Sequence, residues 1–204
     1  MSYCDDTEYA ARNLIELAMA EDNALASLQP KLVSAEAKYK VNHWDFSTSD
    51  LNDDFSDAYV MGAFQRMAKA HNEANSLRTE IASLQASIGA RQVALQALCG
   101  ALLQLAKQGI SLVHGGLNAC PNGRMLANTN LKEVVWQARN QAIHYEEGNF
   151  RPAVLAVFSE LEASFGQEFA LSQHAGQSRA RQVTKLLGWT TYDNYAADMK
   201  LLGL

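Results

Sequence analysis

Residues 57–113, DAYVMGAFQRMAKAHNEANSLRTEIASLQASIGARQVALQALCGALLQLAKQGISLV, decide the fold class. Val60, Ala63, Met67, Ala70, Ala74, Leu77, Ile81, Leu84, Ile88, Leu95, Leu98, Leu102 and Leu105 recur at alternating steps of three and four. That is the seam of a heptad-patterned helix, with Arg91 the one charged residue in a seam slot. Unbroken, such a helix is roughly 85 Å long at 1.5 Å per residue. It must therefore protrude, pair with another chain, or break. Gly89 is the place for a break, since glycine costs about 1 kcal/mol against alanine inside a helix. The phase is the same on both sides of Gly89, which predicts one continuous helix.

Outward from this segment the chain reads as all-α. Residues 5–28 predict a helix capped by Asp5, Asp6 or Thr7, with Leu14, Leu17, Leu25 and Leu28 as its buried stripe. Pro30 should interrupt it, 31–41 should form a second short helix, and His43 to Asp50 should be a loop. After the long helix, Gly115-Gly116, Pro121-Asn122-Gly123 and Asn128-Thr129-Asn130 mark a turn-rich connection. Pro152 suits the first turn of a helix to about Ser164 that buries Leu155, Val157, Phe158 and Leu161. Two short helices, Arg181 to Trp189 and Tyr192 to Leu202, close the chain. The division expected is an N-terminal helical segment, 1–56, packed on a bundle of 57–204 as one structural unit.

Between these lies Trp136-Gln137-Ala138-Arg139-Asn140-Gln141-Ala142-Ile143-His144-Tyr145-Glu146-Glu147-Gly148. Leu131, Val135, Ala138, Ala142 and Tyr145 give it one apolar face. Thr129 or Asn130 can cap its start, and Gly148 can end it in the left-handed conformation. Asn140 and His144 share a face, while Arg139 lies about 140° of rotation from His144. The pair therefore flanks a groove. Histidine near a helix C-terminus also suits the helix dipole, and Arg139 can pair with Glu146 or Glu147, so a structural role stands beside the functional one.

Arg139-Asn140-x3-His144 resembles the signature of HEPN nucleases, all-α ribonucleases of toxin–antitoxin, abortive-infection and CRISPR systems. Trp136-Gln137-Ala138 and Tyr145 to Gly148 resemble one prokaryotic subgroup, and the likeness covers roughly residues 112 to 204. Arg66 to His71 repeats the bare R-x4-H spacing, without the Asn, and reads as decoration on a solvated helix face. The resemblance implies an up-and-down bundle of HEPN type that cleaves RNA without metal, by attack of a 2′-hydroxyl on the adjacent phosphate. His144 would move protons, Arg139 would hold the phosphate, and Asn140 would orient either. It also implies a homodimer, so that two copies of His144 supply acid and base, and a cognate antitoxin as a possible partner. In some related toxins a tyrosine two places after the histidine is modified; here that position is Glu146, and Tyr145 reads as a packing residue.

Composition frames these readings. A net charge of −5 argues against broad electrostatic binding of nucleic acid, so RNA would need a local basic site, for which Arg179, Arg181 and Lys185 are the candidates. Asp45, Asp50, Asp53, Asp54 and Asp57 lack calcium-loop spacing. His43, His114 and His174 lack ligand spacing, so neither metal nor cofactor is expected. Cys4, Cys99 and Cys120 form no C-x2-C pair; Cys99 should be buried, and Cys120 is a loop thiol open to reaction. No apolar run reaches the length of a membrane span and no signal-peptide pattern opens the chain, so a cytoplasmic protein is expected. Two other readings remain: a HEPN-like module that binds nucleic acid or protein without cleaving, and a coiled-coil adaptor in which the motif is structural.

Overall fold

The computed structural model describes residues 2–48 and 57–204. Among these are six α-helices and one two-stranded hairpin: α1 (Tyr3–Thr48), α2 (Asp57–His114), β1 (Met125–Leu126), β2 (Thr129–Asn130), α3 (Leu131–His144), α4 (Pro152–Phe165), α5 (Ala180–Leu186) and α6 (Tyr192–Leu201). The chain is all-α, as its periodicity predicts.

α2 runs through Gly89 without a break. Its seam positions from Val60 to Leu105 are all buried or half-buried. α1 departs from expectation, because it continues through Pro30 and takes in 43–48. Pro30 is exposed, so water can reach the backbone around the missing N–H, while Leu25 and Ala35 on either side are buried and hold the helix in place. The first turns bury Ala11, Ile15 and Ala18, whereas Leu17 is exposed, so the buried stripe is offset from the leucine pattern. Of the aspartate cluster, Asp50, Asp53 and Asp54 lie outside the described residues, as do the side chains of Asp45 and Asp57. α2 also contains an 18-residue window of mean hydropathy 1.2, 22% of it buried. By length and composition this helix could cross a membrane, against the sequence expectation, although core helices of soluble proteins reach the same values.

The chain divides into two units, residues 22–92 and residues 1–21 with 93–204. This boundary differs from the division at 56/57 that the sequence suggests. In the 22–92 unit α1 and α2 run antiparallel: Arg78 donates to the Tyr39 hydroxyl at 2.8 Å, and Phe46 lies 4.7 Å from the His71 ring. Among the described residues its buried apolar positions are Leu25, Ala35, Ala63, Ala70 and Ala74.

The other unit has a larger core that includes Leu103, Ile110, Leu131, Phe158, Leu161, Phe169, Tyr195 and Met199. α3 packs against α4 and α5. α4 buries Val154, Val157, Phe158 and Leu161, while Leu155 is exposed, one residue out of the expected phase. The hairpin brings the chain into α3, with Ala127 at φ 53° in its turn. Gly123 (φ 67°) has no room for a side chain, since a Cβ there would lie 2.9 Å from that of Leu131. Asp198 is buried and accepts from Arg124 Nε at 2.7 Å, Arg124 Nη2 at 2.8 Å and Trp189 Nε1 at 2.8 Å. His114 lies 2.7 Å from the Leu202 carbonyl, near the end of α6, which is a capping role.

Candidate functional site

α3 begins at Asn130, whose side chain accepts from the Glu133 amide at 3.2 Å. It buries Leu131, Val134, Val135, Gln137, Ala138 and Gln141, which turns Arg139 and Asn140 to the half-exposed side. His144 is its last residue. A 3-10 turn, Tyr145–Glu147, follows and ends at Gly148 with φ 69°, in the left-handed region. After three more residues, Pro152 starts α4. Arg151 is the N-cap of α4, and its side chain makes no capping bond.

Arg139, Asn140 and His144 line one cavity of about 230 Å3, joined by Glu147 from the 3-10 turn. The rest of its lining is Asn149, Phe150, Arg151 and Val154. The three motif residues therefore do meet in one concavity. Their hydrogen bonds order them. Arg139 donates from Nε to Gln104 Oε1 of α2 and from Nη1 to Asn140 Oδ1, the latter at 3.2 Å. Asn140 Nδ2 donates to Gln137 Oε1 at 3.2 Å. His144 Nδ1 lies 2.6 Å from Glu147 Oε1, with both side chains substantially exposed. The acid that the sequence offered to Arg139 thus partners the histidine, and a glutamine holds the arginine.

Lys107 adds positive charge near Arg139. Its ammonium lies 4.3 Å from the centre of the Trp136 ring, and burial, then the nearness of Arg139, hold its pKa below the usual lysine range. The Tyr145 phenol is held above its ordinary value by its hydrogen bond to Glu146. Tyr145 lines a separate groove with Ile143, Ala142 and Gly100.

The proposed basic patch is not one surface. Arg179 is 4% exposed. Its amide donates to Gln141 Oε1 at 2.8 Å, and its guanidinium donates to Gln177 Oε1 at 2.6 Å and to the Glu168 carbonyl at 3.3 Å. Burial lowers its pKa. Arg179 therefore serves packing between α3 and the segment before α5, leaving Arg181 half-buried and Lys185 exposed on α5. Cys120 is also buried, and burial pushes its thiol pKa up, against the reactive loop thiol expected. Cys99 is buried as expected, and Arg66 and His71 lie on an exposed face of α2. Among the described residues no group of three His, Cys, Asp or Glu is placed to hold a metal ion.

Sequence reasoning missed Glu147 as the partner of His144, and Asn149, Phe150 and Arg151 as further lining of the cavity. The signal was present: one arginine, one aromatic and one amide occupy the three residues between Gly148 and Pro152. The chain matches no family model, no curated protein and no solved structure.

Proposed function

We propose that the chain is a metal-independent endoribonuclease of HEPN type, working as a homodimer and serving as a toxin or phage-defence effector in the cytoplasm. One observation carries this reading: Arg139, Asn140 and His144 line a single cavity. In the reaction the 2′-oxygen attacks the adjacent phosphorus, and the bond from phosphorus to the 5′-oxygen breaks. A 2′,3′-cyclic phosphate and a 5′-hydroxyl result. The 2′-hydroxyl proton passes to a base, and the departing 5′-oxygen takes a proton from an acid. His144 has Nδ1 committed to Glu147, which leaves Nε2 for this proton transfer. Arg139 keeps Nη2 for a phosphate oxygen once Gln104 and Asn140 hold its other nitrogens, and its charge stabilises the phosphorane-like transition state. Each chain brings one histidine to its cavity, so acid and base come from two copies. A cognate antitoxin would act by blocking this cavity or the pairing of copies.

The test is incubation of the purified chain with mixed cellular RNA in EDTA. Cleavage should persist under chelation, leave cyclic-phosphate ends, and fall roughly 10²- to 10⁴-fold in His144→Ala. Arg139→Ala should fall comparably, with helical content retained in both. A folded wild type that cleaves no RNA from several sources overturns the nuclease reading and leaves a module that binds without turnover.

A further inference from the structure

We infer that the cavity takes one nucleotide of a single-stranded nucleic acid, with Arg151 as a second phosphate-binding group beside Arg139 and Phe150 as the stacking face for the base. The inference rests on the preceding reading of the cavity as a nucleic-acid site.

The first ground is charge. Two guanidiniums, Arg139 and Arg151, line one concavity. Two arginines against one carboxylate give the cavity a net positive lining, which favours an anion. The carboxylate that shares the cavity, Glu147, is already bound to His144. The Arg151 side chain is exposed, caps nothing, and has no hydrogen-bond or ion-pair partner among the described residues. Two arginines lining one cavity are suited to the oxygens of a phosphodiester.

The second ground is shape. Phe150 is half-buried, lines the same cavity and pairs with no other ring among the described residues, so no ring competes with a base for it. Stacking of this kind tolerates any base but requires one that has left its own stack. A cavity of about 230 Å3 admits part of one splayed nucleotide and excludes a duplex. Asn149 and Asn140 also line the cavity.

The test separates binding from turnover. A fluorescein-labelled single-stranded DNA dodecamer of mixed sequence lacks the 2′-hydroxyl and cannot be cut by the proposed reaction, so its anisotropy reports binding alone. The same dodecamer as a duplex is the comparison, at several salt concentrations. Arg151→Ala should weaken single-strand binding about tenfold and reduce the slope of log affinity against log salt by about 0.7. Arg151→Lys should keep most of that slope. Phe150→Leu should weaken binding several-fold with the slope unchanged. The duplex should bind at least about tenfold more weakly. Binding by Arg151→Ala equal to wild type, or equal affinity for single strand and duplex, overturns the inference. Wild type that binds in this pattern and cleaves no RNA leaves the inference standing and removes the nuclease reading. Wild type that cleaves RNA with an unchanged KM in Arg151→Ala does the reverse, and neither binding nor cleavage removes both.

Discussion

Asp198 accepts three hydrogen bonds from two other residues, Arg124 and Trp189. Its carboxylate joins Arg124, in the loop before β1, to Trp189, after α5, while sitting on α6 with 5% of its side chain exposed. Removing it leaves the Trp189 N–H without its acceptor and Arg124 with the Leu187 carbonyl alone. Asp198→Ala should therefore lower unfolding stability by about 3 kcal/mol, less any relief because the Arg124 side chain is 36% exposed. Urea titration of the two proteins checks this, and a shift below about 1 kcal/mol would show that the pair contributes little. Nothing in sequence marks it, since Arg124 and Asp198 are far apart along the chain and long-range pairing leaves no period. Arg179 is the converse, reading as surface charge and lying buried among Gln141, Gln177 and Glu168. Asn130, Gly148 and Pro152 were legible because capping and chain reversal are decided by the residue itself and its nearest neighbours.

At the scale of elements, the legible features were those written in a repeated period, and the misreadings came from single residues given too much weight. The seam of α2 keeps its phase for the whole helix and outweighs Gly89. Pro30 fails to end α1 for a similar reason: one lost hydrogen bond is set against contacts on both sides. Two glycines of α2 test how far helix preference and packing can be separated. A Cβ at Gly89 meets nothing within 4 Å, so Gly89→Ala should raise stability by about 1 kcal/mol. A Cβ at Gly109 would lie 2.6 Å from the Tyr3 ring, whose hydroxyl donates to the Leu105 carbonyl at 2.8 Å. Gly109→Ala should therefore lower stability by about 1 kcal/mol, overpacking outweighing the same intrinsic gain. Thermal melts of both variants decide it, and shifts of the same sign would mean that α1 does not hold Tyr3 against α2.

For the molecule as a whole, the two units differ in what they bury. Among the described residues, the 22–92 unit has one leucine and four alanines at its buried apolar positions, whereas the other buries large aliphatic and aromatic side chains. Apolar area removed from water is the main stabilising quantity, so local opening should be easier in 22–92. Native-state hydrogen exchange should find the amides of 60–90 less protected than those of 95–110 on the same helix. Uniform protection along α2 would rule this out. Of the cavity, the sequence disclosed the motif residues, because spacing on one helix is periodic. It hid Asn149, Phe150 and Arg151, because a loop has no period and only the α3–α4 corner brings them to the cavity. That corner has a consequence of its own. Every residue lining the cavity lies between Arg139 and Val154, and a loop so short closes at little entropic cost. Such a pocket is a portable part. Insertions elsewhere can lengthen the protein without redrawing it, whereas a single residue added between Gly148 and Pro152 alters its bore.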